Sequence, residues 1–173
     1  MTFNVHWCAR DLASSPVGNH QFILIYMDPI YGLPPFSPLE EKGIKFMTLG
    51  AFNVGGSLKF RENEPSDVQS VREFINPKKR GWFSDLDLAK HRVTPPLGSE
   101  QRLAETLVKQ ATAFKVKTQA ENIKYSLANN NCSAWVNTMF KCAGVSLANR
   151  KSYGEFFGID WGEEDLLEEA FFY

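Results

Sequence analysis

Little in this chain suits a metal site or a disulfide framework. Its three cysteines, Cys8, Cys132 and Cys142, are an odd number at no ligand-like spacing, with no CxxC or HxxxH. That excludes a disulfide scaffold and gives zinc no support. Histidine is equally scarce, with only His6, His20 and His91. No apolar run approaches the roughly 18–20 residues of a membrane span. The segment Met1 to Arg10 lacks a basic stretch followed by an apolar one, so no secretory signal is read. The expectation is cytoplasmic synthesis and no stable membrane insertion, with export by a signal-independent secretion system left open. A net charge of −1, without a basic stripe interleaved with aromatics, argues against nucleic acid as a partner.

What is present is one domain's worth of ordinary globular sequence: 173 residues, 43% hydrophobic and 23% charged. The charge is uneven. Residues 155–173 hold seven acidic side chains and no Lys or Arg, whereas 1–154 is basic on balance. The organisation read from this is a single catalytic domain over 1–154 and an acidic tail over 155–173. The tail either packs on the domain through Leu166, Leu167, Ala170 and Phe171 or stays free for a partner.

Alternation of Phe3, Val5 and Trp7 with Asn4, His6 and Cys8 predicts a strand over 3–10. The continuous apolar run 20–27 predicts a second strand buried on both faces. Prolines 29, 34, 35 and 38 make 28–43 a long rim or lid loop. Residues 45–52 and 57–62 read as a hairpin across Asn53-Val54-Gly55-Gly56. Ser66-Asp67-Val68-Gln69 fits a capping box that opens a short helix to about Ile75. The stretch 77–96 reads as irregular, and Gly98-Ser99-Glu100 starts a helix carrying Leu103, Leu107, Val108, Ala111 and Phe114. Residues 120–127 are helical or extended. Strands come first and helices later, which is an α+β pattern.

The chemistry-bearing stretch is Asn129-Asn130-Asn131-Cys132. Apolar residues at Trp135, Val136, Met139, Phe140 and Ala143 have helical spacing, and Gly144 is a natural stop. Asparagines cap helices and rarely continue them, so Cys132 is helix-initial. Unpaired N–H groups and the helix dipole there stabilise a thiolate. His20 opens the central strand at the sheet's end, beside a loop, which suits a general base. His6 is the second choice. His91, in Lys90-His91-Arg92, reads as exposed. Cys142 falls in a last helical turn, where the dipole disfavours a thiolate, and Cys8 reads as packing. Antiparallel pairing of 20–27 with 45–52 brings the chain back to His20's level near Phe52 and Asn53. Asn53 is therefore the candidate to orient the imidazole, with Thr48 a weaker option and a plain turn role for Asn53 the alternative. The Cys132 backbone N–H and the Asn131 or Asn130 side-chain amide are candidate oxyanion donors.

With these residues placed, the chain resembles the circularly permuted branch of the NlpC-type papain-like hydrolases. The matching segments are Gly18-Asn19-His20-Gln21-Phe22-Ile23-Leu24 and Tyr125-Ser126-Leu127-Ala128-Asn129-Asn130-Asn131-Cys132-Ser133-Ala134-Trp135-Val136. The resemblance implies a papain-like core, with an antiparallel sheet packed on the Cys132 helix. It makes Cys132 the nucleophile and His20 the general base, and needs no metal or organic cofactor. It also implies a peptide or cell-wall substrate cleaved through a thioester. Compact domains of this pattern also resemble bacterial toxin or effector domains, whose partners would be an immunity or delivery protein. A second histidine shortly after His20 and an apolar anchor helix are both missing, which favours an amidase or peptidase over a lipid-metabolising enzyme. Acyl transfer by the same dyad is one rival. The other is a non-catalytic immunity or adaptor protein that binds through the acidic tail and Phe171-Phe172-Tyr173.

Overall fold

The computed structural model describes residues 3–11, 19–28, 32–79, 88–96, 98–126, 131–154 and 166–173. Within these, the strands are β1 (Asn4–Asp11), β2 (Asn19–Met27), β3 (Leu39–Glu41), β4 (Ile44–Val54), β5 (Ser57–Glu62) and β6 (Leu88–Arg92). The helices are α1 (Pro65–Ile75), α2 (Glu100–Ala120), α3 (Cys132–Cys142) and α4 (Leu147–Gly154). The strands form one antiparallel sheet in the order β3-β4-β2-β1-β6, and β5 pairs with the far half of β4. The class is α+β.

β2 lies at the sheet's centre because both of its faces are apolar. Ile23 and Ile25 join Val5, Trp7, Met47 and Leu49 in the larger core, under α2 and α3. Phe22 and Leu24 join Cys8, Phe46, Val68 and Val71 in a smaller core, under α1. Side chains alternate between sheet faces, so this two-sided cover is why β2 reads as an unbroken hydrophobic run. The helix spacing predicted for α2 and α3 also holds. Ser99 caps α2 by accepting the Arg102 N–H at 3.3 Å. Leu103, Leu107, Val108, Ala111 and Phe114 are buried, as are Trp135, Val136, Met139 and Phe140 of α3. Gly144 ends α3 at φ +84°, a left-handed conformation that a glycine adopts without strain.

Three expectations are corrected. The stretch 77–96 is not all irregular, because β6 pairs with β1 through His6↔Arg92 to Arg10↔Leu88. The charged, unalternating Leu88-Ala89-Lys90-His91-Arg92 hides a strand since it lies at an edge, where one hydrogen-bonded side suffices. The 28–43 loop contains β3, which pairs with β4. The capping box at Ser66 does not form. α1 starts at Pro65, with Glu64 at the N-cap and no side-chain cap. Proline suits that first position because it has no N–H to leave unpaired. Asp67 therefore lies inside the first turn, free to point at the sheet.

Residues 155–165 of the acidic tail lie outside the described residues. The last eight pack on the domain. Phe172 is 1% exposed, with its ring 5.1 Å from Phe114 and 6.5 Å from Trp135. The Leu167 N–H donates to Thr138 Oγ1 at 2.8 Å, Lys117 donates to the Ala170 carbonyl, and Lys141 pairs with Glu169 at 2.6 Å. Of the proposed Phe171-Phe172-Tyr173 surface, Phe172 is core and Tyr173 is exposed.

Candidate active site

Cys132 is the first residue of α3. Asn131 precedes it in an extended conformation, and its Oδ1 accepts the Ala134 N–H at 2.9 Å. That cap fixes where the helix begins and so aims its N-terminal dipole at the thiol. Cys132 is 9% exposed. Burial alone would push the thiol up. The His20 charge and hydrogen bond, the Gln21 backbone and the Ser133 side chain outweigh it, and the thiol lies below its ordinary value.

Sheet geometry delivers His20 to that thiol. The β2–β4 ladder ends at Phe22↔Gly50, while β4 runs on to Val54 paired with β5. Beyond Phe22 the two strands are no longer laddered, and the Gln21 backbone is left to meet Cys132. His20 is 4% exposed. Its Nε2 faces Asp67 Oδ2 at 3.4 Å, and the Phe52 ring lies 4.3 Å from the imidazole. Burial disfavours the charged ring. The Asp67 and Cys132 charges, with the hydrogen bond to Cys132, prevail and push the imidazole up to about 9. With Nε2 turned to Asp67, Nδ1 is the nitrogen left for the thiol.

Asp67 is fully buried and held on two sides. Arg10 Nε donates to its Oδ1 at 2.7 Å, while Arg10 Nη2 donates to Ser66 Oγ at 2.7 Å. Space for the carboxylate comes from Gly50, across the sheet. A Cβ there would lie 3.0 Å from the Phe52 ring and 3.3 Å from Asp67 Oδ2. A Gly50→Ala variant is therefore expected to displace Asp67 and Phe52 together, at a cost of about 1–3 kcal/mol. Thermal melting checks it: the midpoint should fall by several degrees, and an unchanged midpoint would show that the packing yields freely.

The polar side chain that faces the imidazole is thus Asp67 and not Asn53. Strand register does bring 52 and 53 to His20's end of the sheet, as expected. However, Asn53 Oδ1 accepts the Gly56 N–H at 2.9 Å and closes the β4–β5 turn. Phe52, not Asn53, meets the imidazole. Thr48 is buried among the described residues, with its hydroxyl unpartnered. Asn131 Oδ1 serves the cap, and Asn130 lies outside the described residues. Tyr125 was not singled out by the sequence. It is half-buried, and burial together with the Cys132 charge raises its phenol.

The other candidates lie apart. His6 faces the smaller core four residues along β1 from Arg10, with its ring edge-on to Tyr26 at 5.4 Å. Burial, then Lys90 and Arg92, pull it down to about 4. His91 is half-buried on β6, opposite Trp7. Burial raises the thiols of Cys8, within the smaller core, and of Cys142, in the last turn of α3. Among the described residues, no group of three His, Cys, Asp or Glu could hold a metal ion, and no helix is long and apolar enough to cross a membrane.

Comparison with known proteins gives no match: no family model fits the chain, and no curated protein or solved structure resembles it.

Proposed function

We propose that this chain is a cysteine hydrolase with a papain-like core in its permuted order, cleaving an amide bond in a peptide or peptidoglycan stem. The reading rests on one observation: a buried imidazole flanked by a helix-initial thiol and by a buried carboxylate that is itself held by Arg10. Three groups from β2, α3 and α1 converge there in the roles of base, nucleophile and orienter. The order supports the permuted form, because the His-bearing strand precedes the Cys-bearing helix and the antiparallel sheet lies against that helix.

A depressed thiol beside an elevated imidazole favours the thiolate–imidazolium pair. Cys132 Sγ attacks the amide carbon, and the carbonyl electrons move to an oxyanion held by N–H groups at the start of α3. The oxyanion collapses, the C–N bond breaks, and His20 gives its proton to the departing amine. A thioester remains on Cys132. His20 then takes a proton from water as it attacks that carbon, and the carboxylic acid leaves with the thiolate restored.

The test is the pH dependence of Cys132 alkylation by iodoacetamide. The expected apparent thiol pKa lies below the ordinary value of about 8.5 and rises in His20→Ala. A thiol of ordinary reactivity, indifferent to His20, would overturn the reading and make Cys132 a packing residue.

A further inference from the structure

The contact between His20 and Asp67 is left open. Asp67 Oδ2 and His20 Nε2 are both buried, stand 3.4 Å apart and have no hydrogen-bond partner. A carboxylate and an imidazole N–H ordinarily close to about 2.7–2.9 Å. The other carboxylate oxygen is already gripped. Arg10, 6% exposed, holds Oδ1 through Nε at 2.7 Å and is anchored through Nη2 on Ser66 Oγ at 2.7 Å. Ser66 and Asp67 are adjacent in the first turn of α1, so the guanidinium clamps that turn against β1. The register pairs Arg10 with His20 directly, which puts clamp and imidazole on the same sheet face.

We propose that Arg10 is a positioning residue for the Cys132–His20 pair: by gripping Oδ1 it keeps Asp67 from closing on His20, and so sets the pH range over which the imidazole can both take and return a proton. This rests on the hydrolase reading above. A carboxylate closed fully on His20 would hold the imidazolium more firmly and make it a weaker acid toward a leaving amine. A carboxylate shared with a guanidinium orients the ring while exerting a weaker field. Among the described residues, the ionisable groups around the pair are Asp67 from α1, Cys132 from α3, Tyr125 from the chain after α2, and Cys8 and Arg10 from β1. Arg61 of β5 lies farther out, 6.0 Å from the Phe52 ring and paired with Glu64 at 2.8 Å. Among the described residues, Arg10 is therefore the cation in contact with the orienting carboxylate. Acting through Asp67, its loss should act strongly on His20 and less on the thiol.

The experiment follows the His20 ring by NMR titration and Cys132 by its alkylation rate, across pH, in wild type, Arg10→Met, Arg10→Lys, Asp67→Asn and Arg10→Met with Asp67→Asn. In Arg10→Met, Asp67 closes on His20, and the imidazole titration is expected to move up by about one pH unit. The thiol limb should move less. Arg10→Lys keeps the charge and should stay near wild type. A titration in Arg10→Met that superposes on wild type while only the melting temperature falls would make Arg10 a plain brace and overturn the proposal. Should Arg10→Met not fold, the double variant decides. Because Arg10 acts through Asp67, adding Arg10→Met to Asp67→Asn should leave the imidazole where Asp67→Asn put it, and a further shift there would overturn the proposal. A wild-type thiol indifferent to His20 would instead show that the hydrolase reading itself had failed.

Discussion

A Cys132→Ala variant is expected to lose turnover by about 10⁴-fold or more on any amide substrate that the wild type cleaves, while keeping its fold. No other thiol can substitute, since Cys8 and Cys142 lie in different surroundings with thiols raised by burial. The fold survives because the start of α3 is set by Asn131, whose side chain caps the Ala134 N–H whatever residue follows. Loss of one buried sulfur should cost about 1 kcal/mol. The imidazole also loses the thiolate that helps raise it to about 9, so its titration should fall. Product analysis on cell-wall fragments and peptide amides, beside a thermal melt, checks both halves. Undiminished turnover would sink the mechanism, and collapse of the fold would show that the cysteine is there for packing.

Asp67→Asn should produce the largest loss of stability. The carboxylate is 0% exposed and is bound by Arg10 at 2.7 Å. Neutralising it leaves a buried guanidinium without a counter-charge, for which about 3–5 kcal/mol is the usual cost. At this size that corresponds to a fall of roughly 6–20 °C in melting temperature. The loss should also depend on pH. His20 is raised from 6.5 to about 9 in the folded protein, with Asp67 the largest of the raising influences. Stability drawn from that imidazolium is fully present below about 6.5 and is lost as pH rises through about 9. The gap between wild type and Asp67→Asn should therefore be widest below pH 6.5 and narrow through pH 9. Denaturant unfolding at pH 6 and pH 10 reads it directly. Equal gaps at the two pH values would mean that Asp67 supports Arg10 alone and does not act on His20.

The second prediction joins a residue visible in the sequence, His20, to one that was not. Cys132 and His20 stood out because each carries a local signal. An asparagine run before an apolar helix pattern marks a helix start, and a polar residue at the head of an unbroken apolar strand marks the end of a sheet. Asp67 carries the opposite signal. Ser-Asp-Val-Gln satisfies the capping-box pattern, which accounts for its polar side chains locally. Pro65 was the available correction, since a proline in first position moves the helix start back and leaves Asp67 within the turn. Even so, nothing within four residues of Asp67 says that its carboxylate faces Arg10, 57 positions earlier in the chain. Asn53 lies away from the imidazole for a complementary reason. The register argument brought the chain to the right place, but the turn claimed the asparagine's oxygen.

By itself, the sequence determined the α+β class, the central place of β2, the start of α2, the extent of α3, and the position of Cys132 at a helix start. These follow from periodicity and capping, which act over one or two turns. Tertiary structure alone decided that the β2–β4 ladder stops short and leaves the Gln21 backbone to the thiol. It also decided that a glycine across the sheet makes room for a carboxylate, that Arg10 holds that carboxylate, and that Phe172 is core. Each of these depends on residues brought together by packing from distant parts of the chain. A buried charge takes its partner from whatever the folded sheet and helices present, and that choice leaves no periodic trace in the sequence.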